Sequence, residues 1–471
     1  MPTFDPAQLA RWTAGRWTTL PSAPLRGFAI DSRSVRAGDV FVALETAARD
    51  GHDFLAAAAS SGATAALVST PNAALALPQL VVADPLAAFQ AIAREHRRAF
   101  TGPVIGVTGS AGKTSTKNLL ALLLGATAVS DSSSPVLATE GNLNNHLGVP
   151  LTLTRLDPAQ HKFAVVEAGI SGPGDMDPLA AMISPDLALT TLIAAAHLEA
   201  LGSLDGVARE KSRLSAAVRP TGVAIFPTPC AAFAAFRDLA VRQMVIEPAE
   251  VIRPSAPPKD KVYFAITQRG ETTAIALAYG EPPPLTFTLR RVTDGMAQNA
   301  VLAICAALWL GVSREVIQSR LAAYAPAPLR GEWRRTASQL LYLDCYNANP
   351  ASMLDALATF YAVAPAAEPR LFIIGGMAEL GPEAAHHHRA LGRSLQLRPQ
   401  DELFTMGDHA DEVRTGALEN GNSAAQLTIV STHNPIAARL AGFRGAVFVK
   451  GSRRYQLEKA LHVPSVHLQP C

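Results

Sequence analysis

A lysine and a threonine set behind two closely spaced glycines are the residues that point most directly to chemistry. Gly109-Ser110-Ala111-Gly112 is followed at once by Lys113, Thr114 and Ser115. Glycines let a turn bring its backbone N–H groups close to an anion, and a helix beginning at the lysine adds the positive end of its dipole. Such a cradle suits a polyphosphate, with Lys113 on the β/γ-phosphates and the Thr114 hydroxyl on Mg²⁺. The strict P-loop pattern wants a glycine where Val107 stands, so the generic spacing fails by one position.

Other candidates fall where strands are expected to end. The apolar run Phe163–Val166 delivers Glu167, and Leu187–Thr191 is soon followed by His197. In parallel α/β sheets ligands gather outside the carboxyl ends of strands, so both are expected beside a metal ion on the phosphates. Mg²⁺ prefers oxygen, which makes His197 the less typical ligand. Lys211, in the helical stretch Val207–Ser212, reads on composition alone as a solvated lysine. Asn142, Asn144 and Asn145 suit neither a helix nor a strand interior and offer a loop of amide groups to a polar ligand. Asp344, Tyr346 and Asn347 again follow an apolar run, Leu340–Leu343. Asn349 before Pro350 is also a good helix cap. Arg33, next to Ser32 and a turn, can hold a diphosphate, though turn chemistry and a surface ion pair explain Asp31-Ser-Arg33 at least as well. His386-His-His388 lies in a helical stretch and is expected at the surface.

Positioning these groups requires alternating strands and helices. Val104–Val107 reads as a buried strand and Lys113–Leu124 as the helix that follows the phosphate turn. Residues 1–100 read as a small α/β unit with strands near Val40–Ala43, Ala65–Val68 and Leu80–Val82. Residues 101–325 read as a doubly wound sheet. Ala325-Pro-Ala-Pro328 is the best linker, so a third, Rossmann-like α/β unit is expected over 326–471, with strands Leu340–Leu343, Leu371–Ile374 and Ala446–Val449. The fold class is therefore α/β with three domains. Residues 227–290 carry weaker signals: strand-like Val262–Ile266, Thr273–Leu277 and Leu285–Leu289, flanked by Pro254–Pro258 and Pro282–Pro284.

With 471 residues, 49% of them hydrophobic and 17% charged, the chain can bury several cores. A net charge of +2 argues against a nucleic-acid-coating surface. Four scattered cysteines, Cys230, Cys305, Cys345 and Cys471, lack metal-ligand spacing and fit a reduced, cytoplasmic setting. The N-terminal residues do not resemble a signal peptide, and the longest apolar run, Ala300–Val312, is too short to span a bilayer. The residues alone leave a P-loop phosphotransferase or NTPase open.

Taken together, Thr108–Thr114, Gly141-Asn-Leu-Asn-Asn145 with Gly148-Val-Pro150, Tyr346-Asn-Ala-Asn-Pro350, Glu379-Leu-Gly381 and Lys450-Gly-Ser-Arg453 resemble the Mur ligase family of cell-wall peptide ligases. Within it they resemble the branch that adds D-alanyl-D-alanine. The resemblance spans nearly the whole chain. It implies an ATP-dependent, ADP-forming ligase working through an acyl phosphate in peptidoglycan synthesis. Its substrates would be a UDP-N-acetylmuramoyl tripeptide and D-alanyl-D-alanine. It implies two Mg²⁺ ions held by Thr114, Glu167, His197 and Lys211, the last as a carbamate, which overturns the solvated reading of that lysine. Asn299 would lie on the adenine side, Arg330 near the γ-phosphate and Asp344 on the ribose side. Asn142, Asn144 and Asn145 would meet the muramoyl substrate, and Asp31, Ser32 and Arg33 would lie in the uridine-side domain. Tyr346, Asn347 and Asn349 are expected at the substrate, no stable membrane insertion is expected, and a monomer is expected. The chain departs from the family at Gly295-Met296, where His-Asn is usual, at Leu192, at Gly375-Gly376 and at Glu45–Arg49. Another Mur-type ligase with a different acceptor, or a weakened nucleotide-binding scaffold, stays open on sequence.

Overall fold

A computed structural model describes residues 2–126, 133–252, 257–280 and 282–461. Cys471 and Pro254–Ala256 lie outside these residues. Three sheets follow one another along the chain.

The middle sheet has nine strands and is built around Val104–Thr108. This strand runs parallel between Phe163–Glu167 and Leu187–Thr190, in a register that sets Val107 beside Glu167 and Thr108 beside Thr190. Three strand ends therefore open on one rim. Val136–Ala138 lies outside Phe163–Glu167, and on the other side Val223–Pro227, Gln243–Pro248 and Lys261–Arg269 continue in parallel. Thr272–Ala278 and Leu285–Arg290 close that edge as antiparallel strands. Side chains of the central strand alternate between two cores. Ile105 and Val107 join the core that includes the helices Lys113–Leu124 and Asp294–Trp309. Val104 joins the opposite core, with Met176–Ile183 and Leu204–Ala216. Gly106 admits Leu214 from that side, where a Cβ would lie only 3.1 Å from Leu214. Two covered faces explain the continuous apolar run. The helix Asp294–Trp309 is apolar nearly all round because it is buried in the sheet's core.

The first sheet orders its strands as Arg16–Trp17, Gln79–Val81, Ala65–Val68, Asp39–Val42 and Gly27–Ala29. Its helix Pro85–Ala99 begins at an Asp84 cap and carries Arg97, which is fully buried. The Arg97 guanidinium donates to the carbonyls of Ile183 and Ser184 at 2.8 Å and to the Asp186 carboxylate at 3.0 Å, all in the middle domain.

The third sheet runs Glu332–Arg335, Gln339–Asp344, Gly445–Lys450, Arg370–Gly375, Glu402–Met406 and Leu427–Val430, parallel except for its first strand. Buried Arg370 pairs with Asp401 here.

Two readings are corrected. His388 is not a surface histidine: it is fully buried, its Nε2 accepts the Met377 N–H at 2.9 Å, and its ring faces the Ala384 carbonyl. In a helix only one of three successive residues faces the core, and the His386–His388 run spans that boundary. Lys211 is not solvated: it is fully buried on the helix Leu204–Ala216. Gly148–Leu153 is a helix, entered through Asn145 Oδ1, which accepts the Leu147 and Gly148 N–H groups. Among the described residues no helix is long and apolar enough to cross a membrane.

Candidate active site

The turn after Val104–Thr108 is shaped by two glycines with positive φ. Gly109 has φ 143°, and a Cβ there would lie 1.9 Å from Thr191 Oγ1. Gly112 has φ 78°, and its Cβ would lie 2.4 Å from Asn299 Nδ2. Only glycine fits either place. The turn is tied to the neighbouring strand end by Ser110 N–H on the Leu192 carbonyl and by Ser110 Oγ on the Ala194 carbonyl. Lys113 then starts its helix and folds back to donate to the Gly109 carbonyl at 2.8 Å. Burial lowers the pKa of its ammonium and Arg330 acts in the same direction, while Glu167 and Glu379 oppose both.

Glu167 is the last residue of its strand and is buried. Its Oε1 accepts the Thr114 hydroxyl at 3.2 Å and the Asn144 amide at 2.8 Å. Its Oε2 and the Nζ of Lys211 are buried without a hydrogen-bond partner among the described residues. Lys211 is fully buried on the helix Leu204–Ala216, and burial pushes its pKa well below the usual lysine value, with Lys113 adding to the shift. A carboxylate oxygen left unpaired beside a threonine hydroxyl is a donor set that suits a bound cation. His197, just past the third strand end, has its Nδ1 2.5 Å from the Glu379 carboxylate.

A cavity of about 440 Å³ opens between the middle and third domains. Its middle-domain wall holds Ser110–Ser115, Asn142, Asn144, Glu167 and Asn299. Its third-domain wall holds Arg330, Asp344, Tyr346, Asn347 and Asn349. The Arg330 guanidinium carbon lies over the Tyr346 ring, 3.9 Å from its centroid. Asp344 is ion-paired with Lys450, and burial pushes its carboxyl up against that pairing. Asn349 Oδ1 is engaged as the cap of the helix Pro350–Val363.

Six of the sequence candidates do not line this cavity. Gly109 opens the phosphate turn itself, Lys211 is buried on the helix Leu204–Ala216, and His197 faces Glu379. Asn145 turns its Oδ1 to the Leu147 and Gly148 N–H groups. Ser32 and Arg33 sit on a turn of the first domain, where Arg33 is 87% exposed and paired with Asp31. Sequence reasoning gave no role to Lys117, Asp355 or Lys450. Lys117 is buried, donates to the Thr139 carbonyl and is pulled down to about 8 by burial. Its position one helical turn after Lys113 was the available signal. Asp355 reaches from the third domain to accept the Gly295 N–H at 3.1 Å, and no local pattern announces it. A cluster of Glu45, Asp50 and His52 brings its ligand atoms within 4.8 Å of one another. Both His52 nitrogens are already engaged, by Asp50 and by the Ser69 N–H.

Residues 24–99 match the Mur ligase family catalytic domain, 107–307 the Mur ligase middle domain, and 329–453 the Mur ligase glutamate ligase domain. The chain is 31% identical over 436 residues to the UDP-N-acetylmuramoyl-tripeptide–D-alanyl-D-alanine ligase of Escherichia coli, covering 92% of each. The chain belongs to the Mur ligase family. Among solved structures, a MurF from Acinetobacter baumannii superposes with a TM-score of 0.82 at 29% identity, covering 98% of both chains. A MurF ligase from Thermotoga maritima in complex with ADP superposes with a TM-score of 0.76 at 25% identity, covering 93% of this chain and 96% of that one.

Proposed function

We propose that this Mur ligase joins D-alanyl-D-alanine to a UDP-N-acetylmuramoyl tripeptide with cleavage of ATP to ADP and phosphate, in the synthesis of peptidoglycan precursors. The observation that carries the reading is the cavity in which the phosphate turn of the middle domain faces the Tyr346–Pro350 loop of the third. The likeness to named ligases along almost the entire chain supports it.

A carboxylate is a poor acyl donor because its leaving group would be an oxide. Attack of the tripeptide carboxylate oxygen on the γ-phosphorus, with departure of ADP, gives an acyl phosphate. Attack of the dipeptide amine on the acyl carbon then expels phosphate, and the amine loses its proton to the medium. Phosphoryl transfer depends mainly on alignment and charge neutralisation. Lys113 and the turn N–H groups would hold the β/γ-phosphates, and Arg330, over the Tyr346 ring, would meet the γ-phosphate. Asn299 would border the adenine and Asp344 the ribose. Asn142 and Asn144 would meet the muramoyl substrate. Ser32 and Arg33 would serve the uridine end from the first domain, with domain boundaries near residues 100 and 325. Thr114, Glu167, His197 and a carbamylated Lys211 would hold Mg²⁺, which supplies charge neutralisation on the phosphates. The unpaired Glu167 Oε2 and Lys211 Nζ support that assignment. Enclosure between the two domains keeps water from the acyl phosphate.

The test is ADP release with ATP, the UDP-muramoyl tripeptide and D-alanyl-D-alanine. Release that needs all three, together with the extended peptide product, is expected. Release that needs another acceptor, or that ignores the dipeptide, refutes the reading.

A further inference from the structure

The loop Met377–Gly381 takes no part in the reaction as described, yet it carries the residue that meets His197. The Glu379 carboxylate and His197 Nδ1 are 2.5 Å apart across the domain boundary. Glu379 is 60% exposed, and an exposed ion pair alone would be incidental. Two further features show a built contact. Both residues sit in the left-handed region, His197 at φ 55° and Glu379 at φ 62°, a conformation that non-glycine residues keep only where their surroundings impose it. Two residues on, Gly381 at φ 57° lies so close to Glu199 that an added Cβ would be 3.2 Å from its Cα and 3.3 Å from its backbone nitrogen. The third domain thus seats backbone against backbone beside the His197 turn. Glu379 is also within electrostatic reach of Lys113.

We propose that Glu379 is a positioning residue: its carboxylate holds the His197 ring through Nδ1 and presents Nε2 to the cation, so the cation site is complete only when the third domain is seated. This rests on the reading of His197 as a cation ligand. A carboxylate on the far nitrogen of a metal-bound histidine fixes its tautomer and orientation, and its loss costs about 10–100-fold in metal affinity or activity.

Mn²⁺ binding, followed by electron paramagnetic resonance on the full chain with a non-hydrolysable ATP analogue, tests the proposal. Glu379→Ala should raise the Mn²⁺ Kd by about 10–100-fold. Glu379→Gln, whose amide oxygen still accepts from Nδ1–H, should raise it less. Gly381→Ala keeps the carboxylate but lifts the loop, and should also weaken Mn²⁺. Affinity for the analogue without divalent cation should not fall in any of the three, and melting curves check folding. An unchanged Mn²⁺ Kd in Glu379→Ala overturns the proposal, as does an equal loss of cation-free nucleotide binding. His197→Ala separates the two levels: if it binds Mn²⁺ like the parent, the ligand reading itself fails.

Discussion

Lys211→Met should make the protein more stable and the enzyme inactive. The two side chains have similar length and volume, so the substitution removes the amine and little else. In the folded chain that amine is fully buried, and its Nζ has no hydrogen-bond partner among the described residues. A buried, unsatisfied polar group costs about 1–3 kcal/mol, more if charged, and the apolar variant is spared this. For a cooperative unit of 150–250 residues, that corresponds to a rise of roughly 2–12 °C in the melting temperature. The pH dependence has a definite sign. Burial holds the native pKa well below 10.5, so between the native pKa and 10.5 the unfolded chain binds more protons than the folded one. The parent therefore gains stability as pH rises through that window, and the advantage of Lys211→Met shrinks toward pH 10.5. Melting curves in CO₂-free buffer across this range measure the effect. Added bicarbonate with MgATP should raise the parent's midpoint and leave the variant's alone, because only a lysine forms a carbamate. Dipeptide-dependent ADP release should be nearly abolished in Lys211→Met, and in Lys211→Ala partly restored by a short carboxylic acid. A variant that melts below the parent and turns over at the parental rate would refute the reasoning.

Three further outcomes follow from the geometry. Gly112→Ala forces a left-handed alanine whose Cβ would sit 2.4 Å from Asn299 Nδ2, and about 1–3 kcal/mol of strain should raise KM for ATP by about 5- to 150-fold. Tyr346→Phe should keep kcat, whereas Tyr346→Leu, which removes the ring beneath Arg330, should lower it by about 2- to 30-fold, the kinetic equivalent of a cation–π contact. His388→Ala strands the Met377 N–H and should cost about 1–3 kcal/mol by denaturant unfolding. Burial holds the His388 pKa below 6.5, so its contribution is complete above pH 6.5 and is lost as pH falls toward the native pKa. The His388→Gln unfolding curve should lack that acid slope.

Local chemistry explains what could be read in advance. The phosphate turn is written in adjacent residues, because a strand, a glycine turn and a helix start are each short-range patterns. Glu167 could be placed because a strand's last residue must emerge at the rim. Lys211 could not be placed from its own helix: a lysine beside Glu210 looks like a solvated face, and its burial is set by packing against distant strands. The edge strand Glu332–Arg335 escaped notice because Glu-Trp-Arg-Arg carries charge where strands usually carry branched apolar groups. Pairs that cross between domains, Glu379 with His197 and Asp355 with Gly295, have no neighbourhood in the chain in which a pattern could form.

Arg97 bears on how such an enzyme can move. A guanidinium sealed from solvent and shared among two carbonyls and a carboxylate of the middle domain is a rivet, since shearing it would leave a buried cation without its partners. Any rotation between the first and middle domains would have to break this contact.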